Sequence, residues 1–411
     1  MKHLNCRFCK SAIYQSFADL GMSPLSNAYL KTEQLQQMER FYPLHAWVCG
    51  TCFLVQLDQF ETPEHIFSDY AYFSSYSDSW LKHASGYAEA MVERFGLNSG
   101  SHVVEIASND GYLLQYFVKW GVPVLGIEPA ANVAIVAENK GVPTLVKFFG
   151  TETAATLVAS GKQADLLIGN NVLAHVPNLN DFICGMAKLL KSEGVITMEF
   201  PHLLRLMTQN QFDTIYHEHF SYFSFLTVEK IFKSHGITLF DVEKISTHGG
   251  SLRIFGKHIA DTSKPVLSSV EALRNEEFKA GLDQASTYAT FFEKIKVIKR
   301  DLLRLLINAK DQGKTVVGYG APAKGNTMLN YCGVRTDLLD YTVDLSPHKQ
   351  GMFLPGVHIP IFHPDKVAET RPDYLLILPW NIKEEIMGQM NHIRSWGGKF
   401  IVPIPRVEVI G

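Results

Sequence analysis

The stretch Val103–Leu114, VVEIASNDGYLL, constrains the fold of this chain more than any other. Its branched apolar residues lead through Glu105 into a small polar turn, and an apolar run at helical spacing follows. This pattern predicts a strand, a tight turn and a helix, the opening of a βαβ unit whose turn lies where parallel sheets bind ligands. A structural strand, turn and helix without a ligand is the alternative.

The residue types of this turn indicate the ligand it suits. Ala107 and Asn109 stand where a pyrophosphate-binding loop needs glycine, and only Gly111 follows them. Glu128 ends the next strand-like run, VPVLGIEP, at a spacing suited to binding a ribose diol. A cofactor with ribose but no phosphate, most commonly S-adenosylmethionine, therefore fits better than a dinucleotide.

The composition sets the class of protein. A chain of 411 residues should form two or three domains, and 46% apolar with 19% charged residues is typical of a globular protein. A net charge of −3 gives no indication of nucleic acid or an anionic membrane as partner. No apolar leader or membrane-length apolar run is recognisable in the sequence. We therefore expect a soluble cytoplasmic protein.

Four of the six cysteines form two C-x-x-C pairs, Cys6 with Cys9 and Cys49 with Cys52. In a cytosolic protein this spacing favours a metal over disulfides, and four thiolates select tetrahedral zinc, or iron in a rubredoxin-like site. A redox pair or a chance spacing is the alternative. We predict a structural zinc ribbon over residues 1–65, with a coordination sphere closed to chemistry.

An aromatic segment follows the cysteine pairs, within Phe67–His83. It carries Tyr70, Tyr72, Phe73 and Tyr76 among serines and aspartates, without strand or helix periodicity. Phenol hydroxyls beside serines suit a polar ligand with a flat or ring-shaped face. Packing between domains explains the segment equally well.

Residues 66–285 alternate strand-like and helix-like patterns around the first turn. The further elements predicted here are helices at Leu81–Phe95, Asn132–Lys140 and Phe182–Leu190 and strands at Ala164–Asn171 and Gly194–Phe200. Such alternation predicts an α/β fold with a doubly wound parallel sheet of Rossmann type.

Beyond the last of these strands lies the run Tyr216–Tyr222, YHEHFSY. Its histidines are two residues apart, so the run is not the zinc motif H-E-x-x-H, which needs both on one helical face. Adjacent titratable groups among aromatic residues are costly to bury without a purpose, which favours a functional site over a surface turn. His248 and Arg253, in STHGGSLR, are weaker candidates for contacting an anionic or polar ligand.

Residues 286–411 contain a second α/β pattern, introduced by a charged helical stretch at Phe278–Lys310. A strand at Thr315–Tyr319 leads into Gly318-x-Gly320-x-x-Ala323 and Lys324. This turn matches the fingerprint that places a pyrophosphate at a helix N-terminus. Asp344 ends the next strand-like run, in the position of a ribose-binding acid.

In this order the motifs resemble those of the nucleotide-sugar C-methyltransferases of deoxysugar biosynthesis. The resemblance spans nearly all 411 residues and rests on the four paired cysteines and on YAYFSSYSDSW, VEIASNDGYLL, GIEP, NNVLAHV, YHEHFSYFS, HGGSLR and GYGAPAKGN. It implies an N-terminal zinc module, a central Rossmann-like methyltransferase domain and a C-terminal Rossmann-like domain.

The resemblance also implies roles for individual residues. S-adenosylmethionine is expected to contact the first turn and two later strand ends, at Glu105, Ala107, Asn109, Gly111, Glu128, Pro129, Asn170, Asn171 and His175. The reacting centre is expected to hold Tyr216, Glu218, His219 and Tyr222, closed by a tyrosine of the aromatic segment, by preference Tyr70. A nucleotide sugar, with thymidine diphosphate as the implied nucleotide, is expected to contact Tyr72, Phe73, Tyr76, His248, Arg253, Tyr319, Gly320, Ala323, Lys324 and Asn326.

The expected reaction explains why these residue types are needed. The carbonyl of a 4-keto sugar acidifies the proton on C3, so that a base, His219, would remove it and leave an enolate carbon for methylation. Tyr216 or Tyr222 would donate a hydrogen bond to the enolate oxygen. Glu218 and His219 are neighbours, and both reach one site only if the run is an irregular loop.

Two other functions compete with this prediction. An NAD-dependent sugar-nucleotide oxidoreductase would use the Gly318–Ala323 fingerprint for its cofactor. A zinc-bearing regulatory protein would bind a sugar nucleotide without turnover. The sequence leaves open the sugar, its C3 substituent, the base of the nucleotide, the stereochemical outcome, the oligomeric state and which tyrosine of residues 70–76 enters the site.

Overall fold

The computed structural model describes residues 4–62, 74–76 and 78–411. Tyr70, Tyr72 and Phe73, which the sequence singles out as candidate site residues, lie outside this part of the chain, as does the side chain of Tyr76. The described chain forms a small N-terminal β unit, a central α/β unit and a C-terminal α/β unit.

The N-terminal unit is antiparallel and surrounds the cysteine pairs. Its strands form a two-stranded sheet, Leu4–Asn5 with Ala12–Ile13, and a four-stranded sheet in the order Ser221–Tyr222, Val55–Leu57, Tyr42–Val48, Gln15–Ser23. The edge strand comes from the middle of the chain, because Ser221 pairs with Gln56 and Tyr222 with Val55. The candidate catalytic run is therefore tied to the zinc module by backbone hydrogen bonds.

The central unit contains a seven-stranded sheet, whose strands in spatial order are Ile237–Ile245, Ser251–His258, Leu190–Pro201, Ala164–Asn170, Val103–Ile106, Val124–Ile127 and Thr144–Leu145. The last five strands are parallel, as predicted, whereas the first two form an antiparallel hairpin that pairs antiparallel with the third strand. All four residues of Val103–Ile106 are buried, as expected for a strand with helices on both faces of its sheet.

The three helices predicted with bounds are found to within a few residues at each end, as Asp78–Phe95, Ala131–Asn139 and Leu179–Leu189, and the helix predicted after the first turn is Leu114–Lys119. The helices Thr151–Ala159, Leu203–Thr208, Phe225–Ser234 and Ser268–Lys279 were not predicted. The predicted strand at Gly194–Phe200 is longer at both ends and spans Leu190–Pro201.

The C-terminal unit has a six-stranded sheet in the order Ile361–Phe362, Thr342–Val343, Val316–Tyr319, Tyr374–Ile377, Lys399–Val402, Glu408–Ile410. All of its neighbouring strands are parallel except the last pair. Its helices are Ala285–Ala289, Phe291–Asp311, Ala323–Cys332, Lys366–Thr370 and Lys383–Gln389. The predicted strand, glycine turn and helix around Gly318–Ala323 are confirmed.

One apolar core joins the N-terminal and C-terminal units. Phe17 of the zinc module stacks on Phe291 of the long helix, with ring centroids 4.7 Å apart. Leu30 and Phe353 exchange backbone hydrogen bonds between the two units. The same core includes Ile215, which directly precedes the candidate catalytic run. All three units therefore meet beside that run.

In the part of the chain that the structure describes, no helix combines the length and the apolar character needed to cross a membrane.

Candidate functional site

The four paired cysteines form a metal centre. Their sulfur atoms all lie within 4.8 Å of one another, with Sγ–Sγ distances of 3.5 Å for Cys6 and Cys52 and for Cys9 and Cys49. Sulfurs at a Zn–S distance of about 2.3 Å on a tetrahedron stand roughly 3.8 Å apart, close to the observed spacing. Each pair ends in a similar knuckle, because Lys10 N–H donates to the Cys6 carbonyl and Phe53 N–H to the Cys49 carbonyl. The donor set fits structural zinc.

The first turn of the central unit has the backbone geometry of a glycine loop without the glycines. Ala107, Asn109 and Gly111 all have positive φ, at 55°, 50° and 74°. Asparagine tolerates this conformation better than most residues, whereas alanine there is strained. Residues of positive φ at functional sites are held by the structure around them. Here Glu128 holds the loop, since its Oε2 accepts from the Asn109 N–H at 3.0 Å.

Glu128 therefore connects the ends of two neighbouring strands. Its second oxygen, Oε1, accepts the N–H of Ala130 at 2.9 Å, across the half-buried Pro129. Burial raises the pKa of Glu128, and these two backbone donors act in the opposite direction. A carboxylate fixed in this way retains lone pairs for a ribose diol beyond the strand ends.

Several buried polar atoms near this loop have no partner among the described residues. They are Ser108 Oγ, Asp110 Oδ1, both amide atoms of Asn170 and Asn171 Oδ1. The buried carboxylate of Glu105 interacts with Tyr112. Buried polar groups are nearly always hydrogen-bonded, so this group indicates the place of a polar ligand. Its acceptors and amide donors at the carboxyl ends of parallel strands fit the amino acid and ribose parts of S-adenosylmethionine.

Ser74 and Ser75, the described residues of the aromatic segment nearest to the first turn, donate hydrogen bonds to that turn. Ser74 N–H donates to Asn109 Oδ1 at 2.9 Å and Ser75 N–H to Asp110 Oδ2 at 3.3 Å. Lys140 connects the aromatic segment to the first turn, because its Nζ donates to Ser75 Oγ at 2.6 Å and to Asp110 Oδ2 at 3.1 Å. The sequence analysis did not single out Asp110 or Lys140, although Asp110 lies inside the motif.

The run Tyr216–Tyr222 begins with a tight turn, in which His219 N–H donates to the Tyr216 carbonyl at 2.9 Å. The irregular loop that Glu218 and His219 would need to share a site is therefore present. His219 Nδ1 lies 2.9 Å from the Thr214 carbonyl, which only accepts, so Nδ1 carries the proton. His219 Nε2 lies 2.8 Å from the Tyr216 hydroxyl and is the acceptor in the neutral ring.

The electrostatics keep this imidazole neutral. Burial lowers the pKa of His219 well below its usual value, and neighbouring His175 lowers it further. The His175 ring lies 4.7 Å from the His219 ring, and its Nδ1 donates to the Glu218 carbonyl at 2.9 Å. His175 was expected to contact the cofactor, and the structure places it against the turn of Glu218 and His219.

Glu218 is 4% exposed and contacts the zinc module. Asn27 Nδ2 donates to its Oε1 at 2.7 Å. Burial raises the pKa of Glu218 to about 7, while this amide favours the ionised form. Asn27 was missed by the sequence analysis, because a single polar loop residue has no pattern to identify it.

Tyr222 and His217 point to different surroundings. The buried hydroxyl of Tyr222 interacts with the Tyr216 backbone, and its ring lies 6.2 Å from that of His219. His217 Nε2 donates to the Pro43 carbonyl at 3.2 Å, and its ring meets Tyr42 edge to face. His217 therefore faces the zinc module.

The glycine turn of the C-terminal unit faces the catalytic run. Gly320 has φ of 91°, and a Cβ there would lie 2.6 Å from Pro379 Cδ. The helix starting at Ala323 packs against the residues before the run, where Thr327 Oγ1 donates to the Ile215 carbonyl at 3.1 Å. The sequence analysis predicted the turn but not what it faces.

The side chains of this turn contact several groups. Lys324 Nζ donates to Asn381 Oδ1 at 2.7 Å and lies 4.9 Å from the centre of the Trp380 ring. Tyr319 donates to Gln389 Oε1 at 2.7 Å. Asn326 Nδ2 is buried without a partner in the described chain.

Asp344, in the position of a ribose-binding acid, accepts hydrogen bonds from the backbone of the glycine turn and of the residues that follow Asp344 itself. Its Oδ2 accepts the Ala321 N–H at 2.7 Å and its Oδ1 the Ser346 N–H at 2.8 Å.

His248 and Arg253 have unlike surroundings. His248 has φ of 55°, its Nε2 is buried without a partner among the residues described, and burial lowers its pKa to about 4. Arg253 Nε donates to Glu199 Oε1 at 2.7 Å and its NH1 to Glu243 Oε2 at 2.7 Å. The charge of Arg253 is therefore compensated inside the central sheet, which disfavours the expected contact with an anionic ligand.

Comparisons with known proteins agree with this geometry. Three family models match the chain: a zinc binding domain at residues 6–67, a methyltransferase domain at residues 80–242 and a C-methyltransferase C-terminal domain at residues 246–405. The C-methyltransferase NovU of Streptomyces niveus is 36% identical over 405 residues, covering 98% of this chain and 96% of its own.

Other similarities cover only part of the chain. The ubiquinone biosynthesis O-methyltransferase of Bartonella quintana is 28% identical over 95 residues, 23% of this chain and 38% of that protein. The solved structure of magnesium protoporphyrin IX methyltransferase from Synechocystis with bound SAM is 16% identical, with a TM-score of 0.34, and covers 43% of this chain and 78% of that one.

Each of the three units is matched by one family model, and the relative NovU matches the chain along nearly its whole length. The cysteine centre and the methyltransferase domain supply the sites for zinc and for S-adenosylmethionine. The chain therefore belongs to the C-methyltransferases, as an S-adenosylmethionine-dependent enzyme with a zinc module.

Proposed function

We propose that this enzyme methylates C3 of a nucleotide-linked 4-keto-6-deoxyhexose through an enolate, with thymidine diphosphate as the nucleotide and His219 as the general base. The observation that carries the proposal is the pair Tyr216 and His219, in which the Thr214 carbonyl fixes the proton on Nδ1. A saturated carbon needs a base before it becomes a nucleophile, and a neutral imidazole with a free lone pair on Nε2 is such a base.

The Tyr216 hydroxyl is proposed to change its hydrogen-bond acceptor during the reaction. Before substrate binds, the hydroxyl donates to His219 Nε2. When Nε2 takes the C3 proton, the hydroxyl turns to the enolate oxygen, which is a strong acceptor. Tyr222, whose buried hydroxyl interacts with the Tyr216 backbone and keeps its own proton to donate, supplies a second donor to this oxygen.

Bound S-adenosylmethionine supplies an electrophilic methyl group for the enolate carbon. The chain's own contribution is to hold the two reactants: the Ala107–Gly111 loop and Glu128 bind the cofactor, and Glu218, held by Asn27, orients a hydroxyl of the sugar. Tyr70 is proposed to close the site.

The C-terminal turn is proposed to bind the nucleotide of the substrate. It faces the catalytic run through Thr327, and it carries Lys324, whose ammonium suits a phosphate. The oxidoreductase alternative is not favoured. The chain is a C-methyltransferase, and methyl transfer needs no nicotinamide cofactor.

The proposal is tested by incubating the enzyme with methyl-labelled S-adenosylmethionine and a panel of nucleotide 4-keto-6-deoxysugars. We expect label on carbon of the thymidine diphosphate members. Label on oxygen or nitrogen, or on a sugar without the keto group, would refute the enolate route.

The base is tested by exchange of the C3 hydrogen into deuterated water, which needs no methyl transfer. Loss of a general base typically costs about 10²–10⁴-fold in rate, so His219→Asn should lose exchange to that extent while KM changes little. His217→Ala is the matched control and should keep most of its activity, because His217 faces Tyr42 and Pro43. Wild-type exchange by His219→Asn would place the base elsewhere.

A further inference from the structure

Asp213 is a buried carboxylate outside the proposed machinery, two residues before Ile215. It has no exposed surface and lies in the short helix Phe212–Thr214. The indole N–H of Trp380, a residue of the C-terminal unit, donates to its Oδ2 at 2.7 Å. The backbone N–H groups of Asp213 and Thr214 also favour the ionised carboxylate. A buried carboxylate held between its own turn and the indole of another unit indicates a specific purpose.

The surroundings of Asp213 are contributed by the C-terminal unit. Lys324 lies against the face of the Trp380 ring, and its charge favours ionised Asp213. Burial nevertheless raises the pKa of Asp213 to about 6. Thr327 adds a third contact from the same unit through its hydrogen bond to the Ile215 carbonyl. Residues 213–215 are therefore held from one side by a separate domain.

The next residue links this contact to the base. The Thr214 carbonyl accepts the Nδ1 proton of His219 at 2.9 Å, and so determines which imidazole nitrogen keeps its lone pair. Thr214 is bonded directly to Asp213, so a shift of the Asp213 side chain moves this carbonyl. The other charged or titratable groups around His219 are His175, His248 and Lys324, together with Tyr216 at Nε2 and the ring of Tyr222.

We propose that Trp380 is a positioning residue, which fixes Asp213 and through it the Thr214 carbonyl that sets the tautomer of His219. The C-terminal unit thereby orients the base, in addition to binding the nucleotide. The inference rests on the proposed role of His219.

The test uses the full-length Trp380→Phe variant, which keeps an aromatic ring against Lys324 and Gly249 but removes the N–H donor. We expect kcat for C3 exchange to fall by between about 10-fold and 100-fold, as for a misplaced catalytic group. KM for the sugar nucleotide and the affinity for S-adenosylmethionine should not change. Trp396→Phe is the matched control, because it removes a similar indole bond, to the Pro372 carbonyl, within the C-terminal unit.

A spectroscopic signature separates positioning from general loss of structure. In ¹⁵N-labelled protein, assigned by comparison with His219→Asn, the wild-type ring should be the pure Nδ1–H tautomer. Trp380→Phe should show a mixture of tautomers. Asp213→Asn alone, which retains an oxygen to accept the indole N–H of Trp380, should keep the single tautomer and most of the exchange rate. If Trp380→Phe does not fold, Thr327→Val removes the neighbouring contact and should give the same signature.

Two results would overturn the inference. One is wild-type exchange and a pure tautomer in Trp380→Phe, and the other is an increase in KM alone, which would make the indole a substrate contact. If the wild type exchanges no 4-keto sugar, the proposed function has failed instead, and the tautomer spectrum, which needs no substrate, still decides whether Trp380 orients the ring.

Discussion

At the scale of single residues, burial controls the protonation of the catalytic run. His219 and Glu218 are adjacent, and burial lowers the pKa of the imidazole while it raises that of the carboxyl to about 7. Both shifts favour the neutral form, as desolvation requires. The run therefore contains a neutral base beside a carboxyl that titrates near working pH, an arrangement typical of functional sites.

Glu218 should make the protein less stable as the pH rises. Its folded pKa of about 7 lies above the ordinary value of about 4.3, so the folded state binds more protons between these pH values and stability falls as the pH rises through them. Glu218→Gln removes this penalty. We expect the variant to be inactive, yet more stable than wild type by roughly 2–4 kcal/mol at pH 8 and nearly equal to it at pH 4.5.

Denaturant unfolding at the two pH values measures this difference. The exposed Glu193→Gln, in the same unit, is the control and should show none. An equal difference at both pH values would mean that the Glu218 carboxyl is not the titrating group.

At the scale of elements, the cofactor loop depends on left-handed backbone rather than on the number of its glycines. Ala107 and Asn109 adopt positive φ because Glu128 and Ser74 hold the loop. Gly111 is the position where no side chain fits. A Cβ there would lie 3.1 Å from Val142 Cγ2 and 3.2 Å from Ala137 Cβ.

Gly111→Ala should therefore lose both stability and cofactor affinity. Left-handed backbone costs an alanine about 1–2 kcal/mol, and the contact with Val142 and Ala137 forces the loop to move as well. Gly121→Ala is the matched control, with φ of 71° but no atom within 4 Å of its Cβ. Calorimetric titration with S-adenosylmethionine should show weaker binding for Gly111→Ala and wild-type binding for Gly121→Ala. Equal loss in both would mean that backbone strain alone is responsible.

At the scale of the whole molecule, residues of all three units surround the proposed reacting centre. The zinc module contributes Asn27 and the strand Val55–Leu57, which pairs with Ser221–Tyr222. The C-terminal unit contributes Trp380 and Thr327. The cofactor loop, in contrast, is built within the central unit and the segment that precedes it. Zinc binding and catalysis should therefore be coupled more closely than zinc and cofactor binding.

Cys49→Ser tests this coupling. We expect loss of zinc by metal analysis, since structural zinc carries folding energy, and loss of methyl transfer because Asn27 and Tyr222 lose their support. S-adenosylmethionine should still bind, as measured by calorimetry. Cys184→Ser, which removes an exposed cysteine, should change none of these properties. Wild-type turnover in a zinc-free variant would show that the module is not part of the site.

The sequence by itself determined the features that have local signatures. The cysteine cluster, the apolar strand before the first turn and the strand before the glycine turn at Gly318 are each specified within a few consecutive residues, and each is found as predicted. The role of the run Tyr216–Tyr222 stays a prediction. Periodicity also located several helices, because the apolar face of a helix repeats along the chain.

Only the tertiary structure decided which of these residues act together. Asn27 reaches Glu218 across 191 residues, and Trp380 reaches Asp213 across 167. A single polar residue in a loop has no periodicity, so neither contact has a local signal. Arg253 shows the converse, since its charge suggested a ligand and the fold pairs it with Glu199 on the neighbouring strand. A local pattern specifies what a side chain is able to do, and long-range packing specifies what it faces.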